Sequence, residues 1–296
     1  MAIAAVIGGS GRMGAWFANF LAANGYKVII YDKNAPAARR LARKSRFKFA
    51  SSEARAEDLS DIVVFATPTH TTKTLLAKMA TRTHPSRLIV EISSTKETLR
   101  STIVALSRRG VGILSIHPMF GPGADAESLV GKPIIVAHEP RESRLAKEFL
   151  RVLKRKRVRI IRTDLKTHDR MVATTLSLPH LVNFAFIQTL RRSGFSLNEV
   201  RALGGTTFRL QLLIAEALCR ESLHNETSIL ADNKHSRAVF ASFAEQISQM
   251  RNLTRRRKQG VLMNQLRKDT AYAQRDRLFR TAYERFTQAV ELATPP

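Results

Sequence analysis

One cysteine, Cys219, occurs in 296 residues. Neither an internal disulfide framework nor a cysteine-rich metal site can be built from it, which suits a reducing compartment. No apolar stretch approaches the ~20 residues of a membrane span. The opening MAIAAVI lacks the basic flank of a secretory signal and runs at once into a glycine-rich turn, so it reads as a first strand. Low-complexity linkers and internal repeats are missing too. Acidic residues are scarce, 24 against 49 basic ones, giving a formal net charge of +25. Charge of that size raises the question of nucleic acid. Yet the basic residues are scattered, with VLKRKRVRIIR (152–162) and RNLTRRRK (251–258) only the densest runs. They lack the aromatic interleaving of a single-strand platform and any recognizable nucleic-acid-binding motif. Nucleic acid is therefore disfavoured, and the field suits anionic small molecules. What remains is the composition of a soluble globular chain, expected in the cytoplasm and long enough for two cores.

What is present is a change of period. Short runs rich in Val and Ile recur at 2–8, 27–32, 61–67, 87–93, 111–116, 132–137 and 158–162. Helix-length segments such as 12–24, 71–80, 96–109 and 141–154 lie between several of them. Strands alternating with helices predict a parallel, doubly wound α/β sheet. From Thr167 onward the apolar spacing is helical and no strand-like run recurs. The expected division is a nucleotide-binding α/β domain over 1–163 and an all-α domain over 164–296.

The first strand leads into GGSGRMG, in which Gly9, Gly11 and Gly14 form a G-x-G-x-x-G pattern opening a helix. Gly9 is expected to permit the tight turn, Gly11 the close approach of backbone to a pyrophosphate, and Gly14 close packing of helix on sheet. Ser10, Arg12 and Met13 complete the loop, and the free N–H groups of the helix start face the anion. Asp32 ends the second strand about 20 residues on, where a carboxylate binds a ribose 2′-hydroxyl. It repels a 2′-phosphate, so NAD is expected over NADP, with Lys33, Arg39 and Arg40 nearby as opposing charges. Thr67 and Pro68, at the end of the next main strand, fall where a further cofactor-contacting loop belongs.

The run VGILSI ends on His117, followed by PMFGPG. A residue before proline is pushed to extended geometry, so His117 stays on the strand and ends it. In open α/β sheets ligands lie beyond the carboxyl ends of strands. A histidine there, on a rigid strand before a stiff loop, is placed to take a proton at neutral pH. The plainer alternative is a loop histidine in a proline-shaped turn.

Taken together, GGSGRMG, EISSTK (91–96), HPMFGPG (117–123), THD…LPHLVNF (167–184) and TTFRLQL (206–212) resemble the prephenate and arogenate dehydrogenases of tyrosine biosynthesis. The resemblance covers most of the chain, and HPMFGP is its most specific element. It implies NAD-dependent oxidative decarboxylation of prephenate to 4-hydroxyphenylpyruvate, with arogenate as a rival substrate, on a homodimer paired through the helical half. It implies that His117 is the catalytic histidine bonding the ring hydroxyl and that Ser94 is an active-site serine. Arg209 would bind a substrate carboxylate, and His180 would line the substrate pocket. Read without the resemblance, Ser94 could cap the following helix, and Arg209, in a first helical turn, is a solvated cation unless an anion sits beside it. His180 could be a satisfied core histidine beside a proline kink, and His168 and Asp169 capping and dipole chemistry. A 3-hydroxyacid dehydrogenase would share the glycine loop but use a lysine on a helix in place of HPMFGP. Neither a chorismate mutase segment before residue 1 nor a strand-rich regulatory module after residue 250 is expected.

Overall fold

A computed structural model describes residues 2–80, 84 and 86–293. The chain divides into two compact units, Met1–Val172 and Ala173–Pro296. In the first, β1 (Ile3–Ile7), β2 (Lys27–Tyr31), β3 (Lys48–Phe49), β4 (Ile62–Phe65), β5 (Leu88–Glu91), β6 (Gly112–Pro118), β7 (Pro133–His138) and β8 (Arg159–Arg162) join one sheet in the order β3-β2-β1-β4-β5-β6-β7-β8. Helices α1 (Arg12–Ala23), α2 (Ala35–Ser45), α3 (Glu53–Asp58), α4 (Thr69–Met79), α5 (Arg100–Arg108) and α6 (Arg144–Arg155) connect strands, and α7 (Leu165–Val172) closes the unit.

The apolar runs form strands because both faces are covered. Val6, Ile30, Val64, Val90 and Leu114 pack on one side with Phe17 and Phe20 of α1 and Phe149 of α6. Their neighbours Ile7, Ile29, Val63, Ile89 and Ile113 pack on the other with Leu76 of α4 and Ile103 of α5. Alternate residues thus feed two cores, the pattern of a sheet buried on both faces.

Among the described residues every strand pair is parallel except one. β7 runs antiparallel to β6, with His117 opposite Ile135. A parallel partner needs a crossover, usually through a helix. Residues 119–132 hold none, so the chain turns back along the same edge. The parallel, doubly wound sheet expected from the alternating runs is present, with β6–β7 as its antiparallel pair. The two-residue β3 also escaped the reading of apolar runs, being only Lys48–Phe49.

The helical spacing that begins near 165 first builds α7, which packs on β7 and so belongs to the sheet unit. The second unit then begins with a π-helical turn, Ala173–Ser177. It continues through α8 (Leu178–Arg192), α9 (Leu197–Leu203), α10 (Thr206–Cys219), α11 (Leu223–Ala231), α12 (Ser236–Arg255), α13 (Gln259–Ala273) and α14 (Ala282–Ala293). Pro179 lies in the first turn of α8, where its missing N–H costs nothing. The irregularity expected at that proline takes the form of the wide turn ahead of it.

Candidate active site

The ladder aligns Ile7 with Tyr31 and Phe65, Phe65 with Glu91, and Glu91 with Ser115. Residues just past that row emerge together at the carboxyl edge. They are the glycine loop, Asp32, Thr67, Ser94 and His117. Between β1 and β4 the strand order reverses, which is where such sheets bind ligands.

At the glycine loop the positive φ falls on Gly8, at +81°, not on Gly9. A Cβ on Gly8 would meet the Ala66 carbonyl at 2.5 Å, and one on Gly14 would meet the Gly8 carbonyl at 2.0 Å. Gly9 is packed against Ile30 of β2. Gly11 is exposed, and a Cβ there would come no closer than 3.3 Å to any atom, on the Gly8 carbonyl. It is the N-cap of α1, no side chain caps that helix, and its first turn holds no acid. Free N–H groups beside an open loop fit a pyrophosphate. Met13 packs on the core while Arg12 is exposed. Asp32 accepts from the Ser10 N–H at 3.1 Å and the Asn34 N–H at 3.0 Å, which places its carboxylate beside the loop. Of the opposing charges, Arg39 lies over the Phe49 ring at 4.4 Å. A Cβ on Gly8 would also meet the Thr67 methyl at 2.9 Å, and the Thr67 hydroxyl meets that of Thr72 at 2.8 Å. Pro68 caps α4.

His117 is 5 % exposed. Its Nδ1 lies 2.9 Å from Nε2 of His168, whose own Nδ1 lies 2.7 Å from Oδ1 of Asp169. A carboxylate can only accept, so the order of protons follows. His168 donates from Nδ1 and accepts at Nε2, His117 donates from Nδ1, and Nε2 of His117 is left with its lone pair. Burial first, then His168 and Lys96, hold His117 well below the ordinary histidine value. Burial also lowers His168, with Asp169 opposing. The strand therefore presents a neutral imidazole whose free nitrogen accepts a proton.

A second buried network holds the same strand end. Lys96 Nζ donates to Glu91 Oε1 at 2.7 Å and to the Ile116 carbonyl at 2.6 Å, while the Ser115 hydroxyl donates to the same Glu91 oxygen. The β6–β7 register slips between Ser115 and Ile116, one residue before His117. Such irregularities re-aim side chains next to sites. Burial lowers the Lys96 amine and Glu91 opposes it. Asp169 joins the two networks, accepting the Lys96 and Glu97 backbone N–H groups at 2.8 Å each. It thereby caps the 3-10 turn Glu97–Leu99 that leads into α5. The capping expected of His168 and Asp169 at the start of their own helix falls to Asp164, which accepts the Lys166 and Thr167 N–H groups. Asp169 lies inside α7, caps this other turn, and is tied to His117 through His168. Ser94 does not cap that turn; the residue at the cap is Lys96, without a side-chain bond. After His117, Phe120 packs edge-on against Trp16 of α1 with centroids 5.2 Å apart, and Trp16 Nε1 donates to the Ala124 carbonyl at 2.7 Å.

His180 and Arg209 lie in the helical unit. Arg209 is exposed near the start of α10, its Nε donating to the Gly204 carbonyl at 3.0 Å. That helix packs on α8, and Gln211 donates to Asn183 at 2.7 Å. His180, on α8, meets Glu226 of α11 through Nδ1 at 2.6 Å. Among the described residues no group of three His, Cys, Asp or Glu could hold a metal, and no helix is long and apolar enough to cross a membrane.

A nucleotide-binding α/β unit with a buried histidine at its carboxyl edge, joined to a helical unit, defines the class of protein. Residues 17–162 match the family described as "Prephenate dehydrogenase, nucleotide-binding domain", and residues 164–268 match "Prephenate dehydrogenase, dimerization domain". The chain belongs to the prephenate and arogenate dehydrogenase family. The "Probable arogenate/prephenate dehydrogenase" of Methanocaldococcus jannaschii is 21% identical over 252 residues, covering 84% of this chain and 56% of that protein. The "T-protein" of Enterobacter agglomerans is 25% identical over 244 residues, 82% of this chain and 60% of its own. The chain thus spans less than two thirds of those relatives. Among solved structures, the prephenate dehydrogenase from A. aeolicus, in complex with hydroxyphenyl propionate and NAD+, superposes with a TM-score of 0.75 at 19% identity, over 92% of this chain and 97% of its own. The Synechocystis arogenate dehydrogenase gives 0.66 at 18% identity, over 92% and 99%.

Proposed function

We propose that the protein catalyses NAD-dependent oxidative decarboxylation of prephenate to 4-hydroxyphenylpyruvate, with arogenate as the alternative substrate. The observation that carries the reading is the Asp169–His168–His117 chain at the carboxyl edge of β6. Bound NAD would supply the hydride acceptor for the ring carbon that bears the hydroxyl. The residues suited to hold it are Gly9, Ser10, Gly11 and Gly14 at the pyrophosphate, with Arg12 and Met13 in the same loop. Asp32 would take the ribose hydroxyls, and Thr67 and Pro68 would border the site.

His117 takes the hydroxyl proton on Nε2. The positive charge that forms on the ring is met by His168 and, behind it, by Asp169, which also keep the imidazole in the base tautomer. Loss of carbon dioxide and aromatisation draw the step forward, so the protein supplies position and one base. Ser94, three residues past the end of β5, would bond the same hydroxyl. Arg209 supplies a fork for a substrate carboxylate, and His180 a polar contact to the substrate side chain. The relatives' division between prephenate and arogenate supports both substrates equally.

The family's dimerization domain and the apolar side chains exposed on the helical unit support a homodimer, to be checked by sedimentation velocity. The helical unit would serve as both substrate and pairing domain, with the cofactor domain ending near residue 163. The experiment for the reaction is a four-way assay of prephenate or arogenate with NAD or NADP, following nicotinamide reduction. Turnover of prephenate or arogenate with NAD supports the proposal; reduction with neither refutes it.

A further inference from the structure

Glu226 on α11 has no part in the reaction as described above. It is 3 % exposed, its Oε2 lies 2.6 Å from Nδ1 of His180, and its Oε1 is buried without a hydrogen-bond partner among the described residues. A carboxylate removed from water recovers its hydration only through several good hydrogen bonds. This one has a single strong contact. Even a fully ionised buried pair is weak evidence for stability, since replacing both of its members by apolar residues is often neutral or stabilising. A half-satisfied carboxylate is therefore a poor device for holding α8 against α11, which is already tied to the turn ahead of α8 where the Ser177 hydroxyl donates to the Ile229 carbonyl at 2.9 Å.

What the carboxylate does is choose a nitrogen. An acceptor at 2.6 Å fixes the proton of His180 on Nδ1 and stops the ring from flipping, so Nε2 is the nitrogen left to act. The histidine is also the more exposed partner, its side chain 12% accessible against 4% for Glu226. Its place on α8 is framed by Asn183, which donates to the Pro179 carbonyl at 2.8 Å and accepts from Gln211 of α10, two residues from Arg209.

We propose that Glu226 is a positioning residue for substrate binding, setting the orientation and tautomer of His180 so that Nε2 meets a polar group on the substrate's side chain. The inference rests on the reading of His180 as a substrate-pocket residue of a prephenate or arogenate dehydrogenase. It adds a selective determinant in the helical unit, acting on KM and not on the proton transfer at His117.

The test is steady-state kinetics on the full chain with Glu226→Met, Glu226→Gln, His180→Gln and the Glu226→Met/His180→Gln double variant, alongside thermal melting. Glu226→Met should raise KM for the active substrate about tenfold, equivalent to ~1.4 kcal/mol. It should leave KM for NAD unchanged, and the rise in substrate KM should appear whether or not Tm falls. Glu226→Gln, which keeps an acceptor oxygen, should recover most of the loss. The double variant should be no worse than His180→Gln alone. A lowered Tm or failure to fold, with KM unchanged wherever it can be measured, makes the pair structural and overturns the proposal. So do losses that add in the double variant. If the wild type turns over neither substrate, the functional reading has failed and this inference falls with it; if the wild type is active and Glu226→Met binds substrate normally, this inference alone has failed.

Discussion

Among the described residues, Val130 and Met171 are the large apolar side chains left exposed by the sheet unit. The helical unit leaves a series of them from Phe195 to Leu292, with Leu203 and Leu292 each 91 % exposed, and buries few beyond Leu212, Ala215 and Ile229. Both units bury polar residues, the helical one Asn183 and Glu226 among them, but the clustered charged and titratable side chains lie in the sheet unit. The sheet unit buries Glu91, Lys96, His117, His168 and Asp169 fully and pairs them with one another. The sheet unit completes its own cores and can hold charged groups within them, where a low dielectric strengthens each bond and makes an unpaired group expensive. The helical unit has apolar surface still to cover, as expected of a pairing domain. Rigid chemistry belongs to the first unit and binding to the second, in the account proposed above, and that division can be broken experimentally.

The largest effect should come from the sheet unit. His117→Asn should keep NAD binding and lower turnover by ~10²–10⁴-fold, the usual weight of a general base. Unchanged turnover would return HPMFGPG to the status of a turn. His168→Gln should give a smaller loss in turnover, because it removes the partner that sets the tautomer and leaves the base itself.

These two residues show what the sequence could and could not convey. The strands were legible wherever both faces are buried, since a Val- and Ile-rich run of four to seven residues has few other solutions. The edge pair β3 has no such run, and the reversal of β7 depended on a connector that lacks a helix. The position of His117 could be read from the proline after it and the strand before it. Its partnership with His168 could not, because the two are 51 residues apart and meet only when α7 folds against the sheet unit. One signal was available and went unused. Glu91 interrupts the buried run RLIVEIS, and a buried acid needs a cation, which Lys96 supplies five residues later.

In the helical unit the next effect is on binding. Arg209→Gln should weaken substrate binding by about ten- to a hundredfold, the loss of a charge-assisted contact worth ~1.5–3 kcal/mol. The KM for NAD should barely change, and lysine should rescue only in part, since a point charge cannot copy the guanidinium fork. An unchanged KM for substrate would move the anionic anchor elsewhere. Smaller again, Asp32→Ser should relax the preference for NAD over NADP, largely through the KM for cofactor. Equal use of NADP by the wild type would promote Lys33 and Arg39 to phosphate ligands.

The smallest effect is on stability. His117 and His168 are held below the ordinary histidine value by burial, so between that value and their own the unfolded chain takes up protons that the native chain refuses. Stability should therefore fall as pH drops below ~6.5, and less so in His117→Asn. A Tm flat from pH 7 to 5 would contradict this.

The central claim is that His117 works as a neutral buried base, and the pH dependence of kcat/KM for the wild type tests it most directly. The free ring is the active form above its own pKa, so activity is lost only as pH falls through that value. The account predicts an acid limb well below pH 6.5, because burial, His168 and Lys96 all oppose protonation. An acid limb at or above pH 6.5, carried by His117 and abolished in His117→Asn, would contradict it.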